Sequence, residues 1–310
     1  MMKAHWKTTA GGAFAKVVSN MDRVLGTTSE CGYVATCAGS SKRLMESTEG
    51  KRIWLAAFNY NTIPEARIQD LEGPDMLVAI SDFCAKTMQK HTKKPVFKIN
   101  MGVDTAIYKP ESGHRSTVFR FLCPCSDESY GKSKIVEAWK LAHKNMPNAE
   151  LIIKDHSGIT PEEKNALEAI PRCKVIEPLG WCLTEEGQAR LYNSAYCLLY
   201  PIRSTASSLT ALEAMACRIP VITTDYSAMP EIVDKITGWL VPVDLVKDEQ
   251  GFEYGTPKID YLVEAMLEAY KTKSNIKGVK AHEKVSKGWT WYHSADQLSQ
   301  AMEKHFGKAR

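Results

Sequence analysis

Short, unbroken apolar runs separated by helical patterns constrain this chain more than any other feature. Runs such as RIWLAAF (52–58), MLVAIS (76–81), ELIIK (150–154) and YCLLYP (196–201) lack the apolar–polar alternation of a strand with one wet face. A strand that is apolar at successive positions has to be covered on both faces, which means a parallel sheet with helices packed on each side. The predicted strands of the first part are 3–6, 32–38, 52–58, 76–81 and 96–100. After the punctuation Pro110-Glu-Ser-Gly113 a second series is predicted at 119–124, 150–154, 174–179, 196–201, 220–223 and 238–242. Helices are predicted between them at 132–145, 161–170, 184–194 and 208–217. A length of 310 residues exceeds what one core usually organises. The expectation is an α/β chain of two Rossmann-like lobes, the first one reduced.

Residues 1–110 hold 15 Lys and Arg against 10 Asp and Glu, and the remaining 200 hold 25 against 26. The positive excess therefore sits in the first lobe, where Lys42, Arg43, Lys51 and Arg52 cluster around the second and third strands and are candidates for binding an anionic acceptor. Nine cysteines form no CxxC pair and no zinc pattern with the eight histidines. They read as buried free thiols, and no metal site is expected. The segment MMKAHWKTTAGG has no apolar signal core, and no apolar run approaches the ~18 residues of a membrane span. The expected location is cytoplasmic.

One residue breaks the apolar logic. In LTALEAMAC, Glu213 stands among Leu209, Leu212, Ala214, Met215 and Ala216. An unpaired carboxylate there would cost roughly 3 kcal/mol or more to desolvate. It lies too deep to cap the helix, and no Lys or Arg stands three or four residues away. Its partner has to come from elsewhere in the fold or from a ligand. The helix follows directly on the strand YCLLYP, and ligands of doubly wound sheets sit outside the carboxyl ends of strands.

The blocks LVAISDFCAKTMQK, VFKINMGVDTAIYKP, KIVEAWKLAHKNMPNAELIIKD, LYNSAYCLLYP, LEAMACRIPVITTDYSAMPEIV and GWLVP, in this order and spacing, resemble family-4 glycosyltransferases over about residues 76–245. Those are retaining enzymes of two-lobed GT-B architecture. GWTWYHSADQLSQAMEKHF resembles the family's closing helix, which packs back towards the first lobe. The resemblance implies an N-terminal acceptor lobe at 1–105, a nucleotide-sugar lobe at 106–285 and a closing helix at 286–310. It gives Glu213 the ribose diol of a nucleotide-sugar, with UDP-sugar the expected co-substrate and no other cofactor. Ser207, Ser208 and Leu209 would offer helix N-terminal N–H groups to the donor. Gly11 and Gly12 would correspond to the family's glycine loop.

The sequence departs from the family at two places. Thr205 stands where the family carries the acid beside the reacting carbon, so that EGFG is here TASS. The diphosphate clamp, an Arg and a Lys in the family, falls on Cys125 and Tyr130, with Lys132 as the best substitute and Lys134 second. Asn59 occupies a position where the family often has a His, and reads as a turn residue. Two classes follow: a metal-independent retaining glycosyltransferase, supported by the lack of any DxD, or a catalytically impaired nucleotide-sugar-binding or regulatory homologue. The acceptor classes are a glycan, a small molecule or hydroxymethylated DNA. A nicotinamide dehydrogenase is disfavoured by the lack of GxGxxG after a strand.

Overall fold

The computed structural model describes residues 5–6, 13–25, 33–38, 50–124, 128–155, 158–177, 184–273 and 275–307. The chain divides into two compact units: residues 1–102, 205–209 and 288–310 form the first, and residues 103–204 and 210–287 the second.

The first unit holds a parallel sheet of β1 (His5–Trp6), β2 (Tyr33–Ala38), β3 (Lys51–Ala56), β4 (Met76–Ala79) and β5 (Val96–Lys98), lying side by side in chain order. Its helices are α1 (Ala13–Leu25), the single turn α2 (Glu65–Ile68) and α3 (Asp82–Gln89). The apolar runs do what two-sided cover requires: Ile53–Ala56 and Met76–Ala79 are wholly buried. The start of α3 is fixed by Ser81, whose side chain accepts the Cys84 N–H at 3.0 Å.

The second unit carries β6 (Phe119–Cys123), α4 (Lys132–Ala142), β7 (Ala149–Lys154), α5 (Pro161–Glu168), β8 (Cys173–Ile176), α6 (Glu185–Asn193) and β9 (Cys197–Tyr200). There follow α7 (Leu209–Ala216), β10 (Val221–Thr224), the single turn α8 (Met229–Ile232) and β11 (Gly238–Val241). Its six strands are parallel in the order β11-β10-β9-β6-β7-β8. An antiparallel hairpin, β12 (Val243–Lys247) with β13 (Glu253–Pro257), precedes α9 (Ile259–Thr272) and α10 (Asn275–Gly288). The predicted elements did not include this hairpin. The core on one side of the sheet joins Phe121, Trp139, Leu151, Ile153, Leu199 and Met266.

The last helix, α11 (Trp291–Phe306), belongs to the first unit. It buries Trp291, Ala295, Leu298 and Met302, one face at helical spacing. Gln297 Oε1 accepts the Asn100 N–H at 2.7 Å, and His305 Nε2 lies 2.9 Å from the Asp75 carbonyl oxygen. A Cβ on Gly102 would sit 2.4 Å from the Trp291 nitrogen, so only glycine allows this approach. None of the described helices is long and apolar enough to cross a membrane.

Candidate active site

Strand order locates a crevice in the second unit. β6 pairs with β7 on one side and β9 on the other, so the connections leaving the carboxyl ends of β6 and β9 turn to opposite faces of the sheet. The two connections are tied together. Arg203 donates its backbone N–H to the Ser129 carbonyl at 2.9 Å, and the rings of Tyr130 and Tyr200 lie 5.7 Å apart. Gly131, which precedes α4, has φ 71°, and a Cβ there would come within 2.8 Å of the Pro201 oxygen. Both facts demand glycine.

Glu213 lies on α7, in the connection that leaves β9, and is 6% exposed. Its partner comes from the fold: the Tyr192 hydroxyl, on α6, donates to Glu213 Oε2 at 3.1 Å. Burial, reinforced by the carboxylate's charge, pushes the Tyr192 phenol well above its ordinary value. Tyr192 therefore stays protonated and remains a donor. Burial also raises the Cys217 thiol, with Glu213 the next contribution. The five described free cysteines, Cys84, Cys123, Cys173, Cys197 and Cys217, are all buried.

The lysines expected at the crevice are engaged by acids. Lys132 pairs with Glu163, and Lys134 pairs with Glu137 at 2.8 Å on an exposed helix turn. Glu128 accepts the Ser133 N–H at 3.0 Å and its hydroxyl at 2.8 Å, so the start of α4 already carries a carboxylate. A cation that the sequence reading missed is Arg203. Its guanidinium carbon lies 3.5 Å from the centroid of the Tyr254 ring on β13, and its Nε is buried with no hydrogen-bond partner among the described residues. Its carbonyl accepts the Gly255 N–H at 2.8 Å, which fastens the hairpin to this connection.

Residues 205–209 pack with the first unit. Thr205 is buried, and its hydroxyl donates to the Ser207 carbonyl while accepting the Ser207 N–H at 3.3 Å. Ser208 is buried, and Ser207 Oγ is buried without a partner among the described residues. Asn59 does more than turn the chain, because its Oδ1 accepts the Ala206 N–H at 3.0 Å. Nothing local in the sequence signals a bond across 147 positions. Lys51 and Arg52 open β3 at the amino edge of its sheet, away from the carboxyl edge where α/β ligands bind. Arg52 is held by Asp75, with Nε 3.1 Å from Oδ2. Gly11, Gly12, Lys42, Arg43 and Cys125 lie outside the described residues.

Residues 126–252 match the family described as glycosyl transferases group 1. This group 1 region runs from the connection after β6 to the β12–β13 turn, and contains Arg203, Tyr192 and Glu213. No curated protein matches the chain. Among solved structures, sucrose-phosphate synthase from Thermosynechococcus elongatus is similar at 17% identity and TM-score 0.70, over 96% of this chain and 79% of that one. Anabaena HepE in complex with UDP-glucose is similar at 13% identity and TM-score 0.66, over 87% and 78%. The pneumococcal O-GlcNAc transferase GtfA in complex with UDP and GlcNAc gives 13% and 0.66, over 89% of this chain but 57% of that one. The fold around the group 1 region is thus the α/β, GT-B type.

Proposed function

We infer that the chain transfers a sugar from a UDP-sugar to an acceptor hydroxyl with retention of configuration and without a divalent metal. The observation that carries this reading is the buried carboxylate of Glu213, in the group 1 region, on the helix that follows strand β9 of the switch point. A carboxylate with two acceptor oxygens suits the vicinal diol of a ribose. UDP is the favoured nucleotide because both HepE and GtfA were solved with it.

In this reading the bond from the anomeric carbon to the diphosphate oxygen breaks, and a bond to the acceptor oxygen forms on the same face. The acceptor's proton leaves to the released phosphate or to solvent. The chain's contribution is alignment and charge stabilisation. Arg203 and Lys132, with Lys134 further out, neutralise the diphosphate. The family resemblance would add to the donor contacts the N–H groups of Ser207, Ser208 and Leu209, the glycines Gly11 and Gly12, and the Thr205 hydroxyl as a bond to the sugar. The acceptor is a glycan or another hydroxyl compound, met by the first unit.

A second reading, a donor-binding homologue with impaired chemistry, is favoured by Thr205, an uncharged group whose hydroxyl is occupied by the Ser207 backbone. One experiment separates the two. Purified protein is incubated with UDP-glucose or UDP-GlcNAc and a panel of glycans, small alcohols and hydroxymethylated DNA, and products are read by mass spectrometry with and without EDTA. Transfer that survives chelation supports the first reading. Tight UDP binding with no transfer to any acceptor supports the second, and loss of transfer on chelation overturns metal independence.

A further inference from the structure

A ligand-binding carboxylate works best if it points the same way before the ligand arrives, since ordering it on binding costs affinity. Glu213 is a long side chain whose end group has three rotatable bonds to fix. Its carboxylate is met by a hydroxyl on a different helix, 21 positions earlier, at 3.1 Å. That hydroxyl is itself locked. Tyr192 is 4% exposed, packs its ring 6.2 Å from Tyr108, and sits on a helix whose start is fixed by Thr184, which accepts the Gly187 N–H at 3.0 Å. The neighbouring Asn193 is bolted on three sides: its amide donates to the carbonyls of Ala189 and Lys109, and its oxygen accepts the Glu111 N–H. A carboxylate offers about four lone-pair sites, so one phenol bond and a diol are compatible on it.

We propose that Tyr192 is a positioning residue that pins the Glu213 carboxylate for the ribose diol, and thereby sets the preference for ribonucleotide over deoxyribonucleotide donors. This rests on the reading of Glu213 as the ribose contact. Tyr192 touches no reacting atom. Its loss raises the KM for the donor and leaves kcat at saturating donor nearly unchanged.

The test is a calorimetric cycle with UDP and 2′,3′-dideoxy-UDP as probes, on wild type, Tyr192→Phe, Glu213→Gln and the double variant. Tyr192→Phe removes one oxygen from a packed ring and keeps its shape, so the fold is retained. The expected result is a Kd for UDP about fivefold higher in Tyr192→Phe, with the Kd for dideoxy-UDP within about twofold of wild type. In the Glu213→Gln background the substitution should have little further effect, because a residue acting through Glu213 has nothing left to position. Equal weakening of both nucleotides would make Tyr192 a general packing residue and overturn the proposal. No weakening of UDP would do the same. A wild type that binds both probes equally refutes the ribose role of Glu213, and one that binds neither refutes the donor reading itself.

Discussion

The two parallel sheets among the described residues are built from the same kind of strand, yet only one makes a ligand crevice by its topology. In the first unit the described strands follow one another across the sheet, β1 to β5, with no reversal. In the second, the chain starts in the middle at β6, runs outward to β8, then returns to the other side of β6 with β9 and runs outward again to β11. That return leaves two adjacent strand ends whose connections diverge. Unbroken apolar strands, then, fix a parallel sheet but not a binding site. The binding site depends on the order in which the strands are laid down.

The strongest way to break the comparison is to damage the pair of connections at the reversal. Gly131→Val should cost about 3 kcal/mol in the unfolding free energy of the second unit, since a side chain there is both left-handed and pressed on the Pro201 carbonyl. Urea melts followed by tryptophan fluorescence read this out. An unchanged midpoint would mean that the two connections are not locked together.

Next in size, Glu213→Gln should weaken UDP binding by about 5- to 30-fold, or 1–2 kcal/mol, while the melting curve stays close to wild type. Titration calorimetry is the measurement. Unchanged affinity would move the donor away from the crevice.

A third test sharpens the contrast through acid. Glu150, nearly buried, would be raised by burial, but the hydrogen bonds and charges of Arg120 and Lys174 outweigh that and hold it below its ordinary value of 4.5. Arg120 Nη2 is 2.8 Å away and Lys174 Nζ 3.1 Å. A depressed carboxyl contributes stability that is fully present above the unfolded value and is lost as pH falls through the folded one. The second unit should therefore be steady down to about pH 4.5 and weaken below it, and Glu150→Gln should flatten the acid limb of a melting-temperature profile. In the first unit, Asp75 beside Arg52 shifts in the same direction, but its side chain is 33% exposed and screening reduces its share.

The smallest effect is expected at the amino edge of the first sheet. Neutralising Lys51 to Gln should leave UDP affinity within about twofold, because an exposed charge at the amino edge of its strand acts only through a screened field. A larger change in calorimetry would tie this charge to the donor after all.

Much of the fold was legible in the residues because burial speaks locally. Ile53–Ala56, Met76–Ala79 and Val221–Thr223 are buried without interruption, and each lies within a run expected to form a strand. The hairpin was not legible: Asp244–Val246 are exposed, and VDLVKDEQGFEYG has the composition of a surface loop. At the candidate site, Glu213 stood out because a charge in an apolar helix contradicts its neighbours. Its answer, Tyr192, did not, because a tyrosine on an amphipathic helix is unremarkable until α6 meets α7. Lys132 shows a different limit: the motif offered it as the diphosphate clamp, but nothing in the sequence signalled that Glu163, 31 residues on, would pair with it.

The placement of α11 has a consequence for how the molecule comes off the ribosome. Domains generally fold as units during synthesis, amino-terminal ones first. Here the first unit needs Trp291, Leu298 and Met302 to finish its core and Gln297 to satisfy Asn100, and all four are translated after the whole of residues 103–287. The later unit is therefore the earlier one to be complete. The nascent first sheet waits, with apolar surface uncovered, until the closing helix emerges, so a stall or truncation before Trp291 should expose that surface to aggregation or to chaperones while the second unit is already whole.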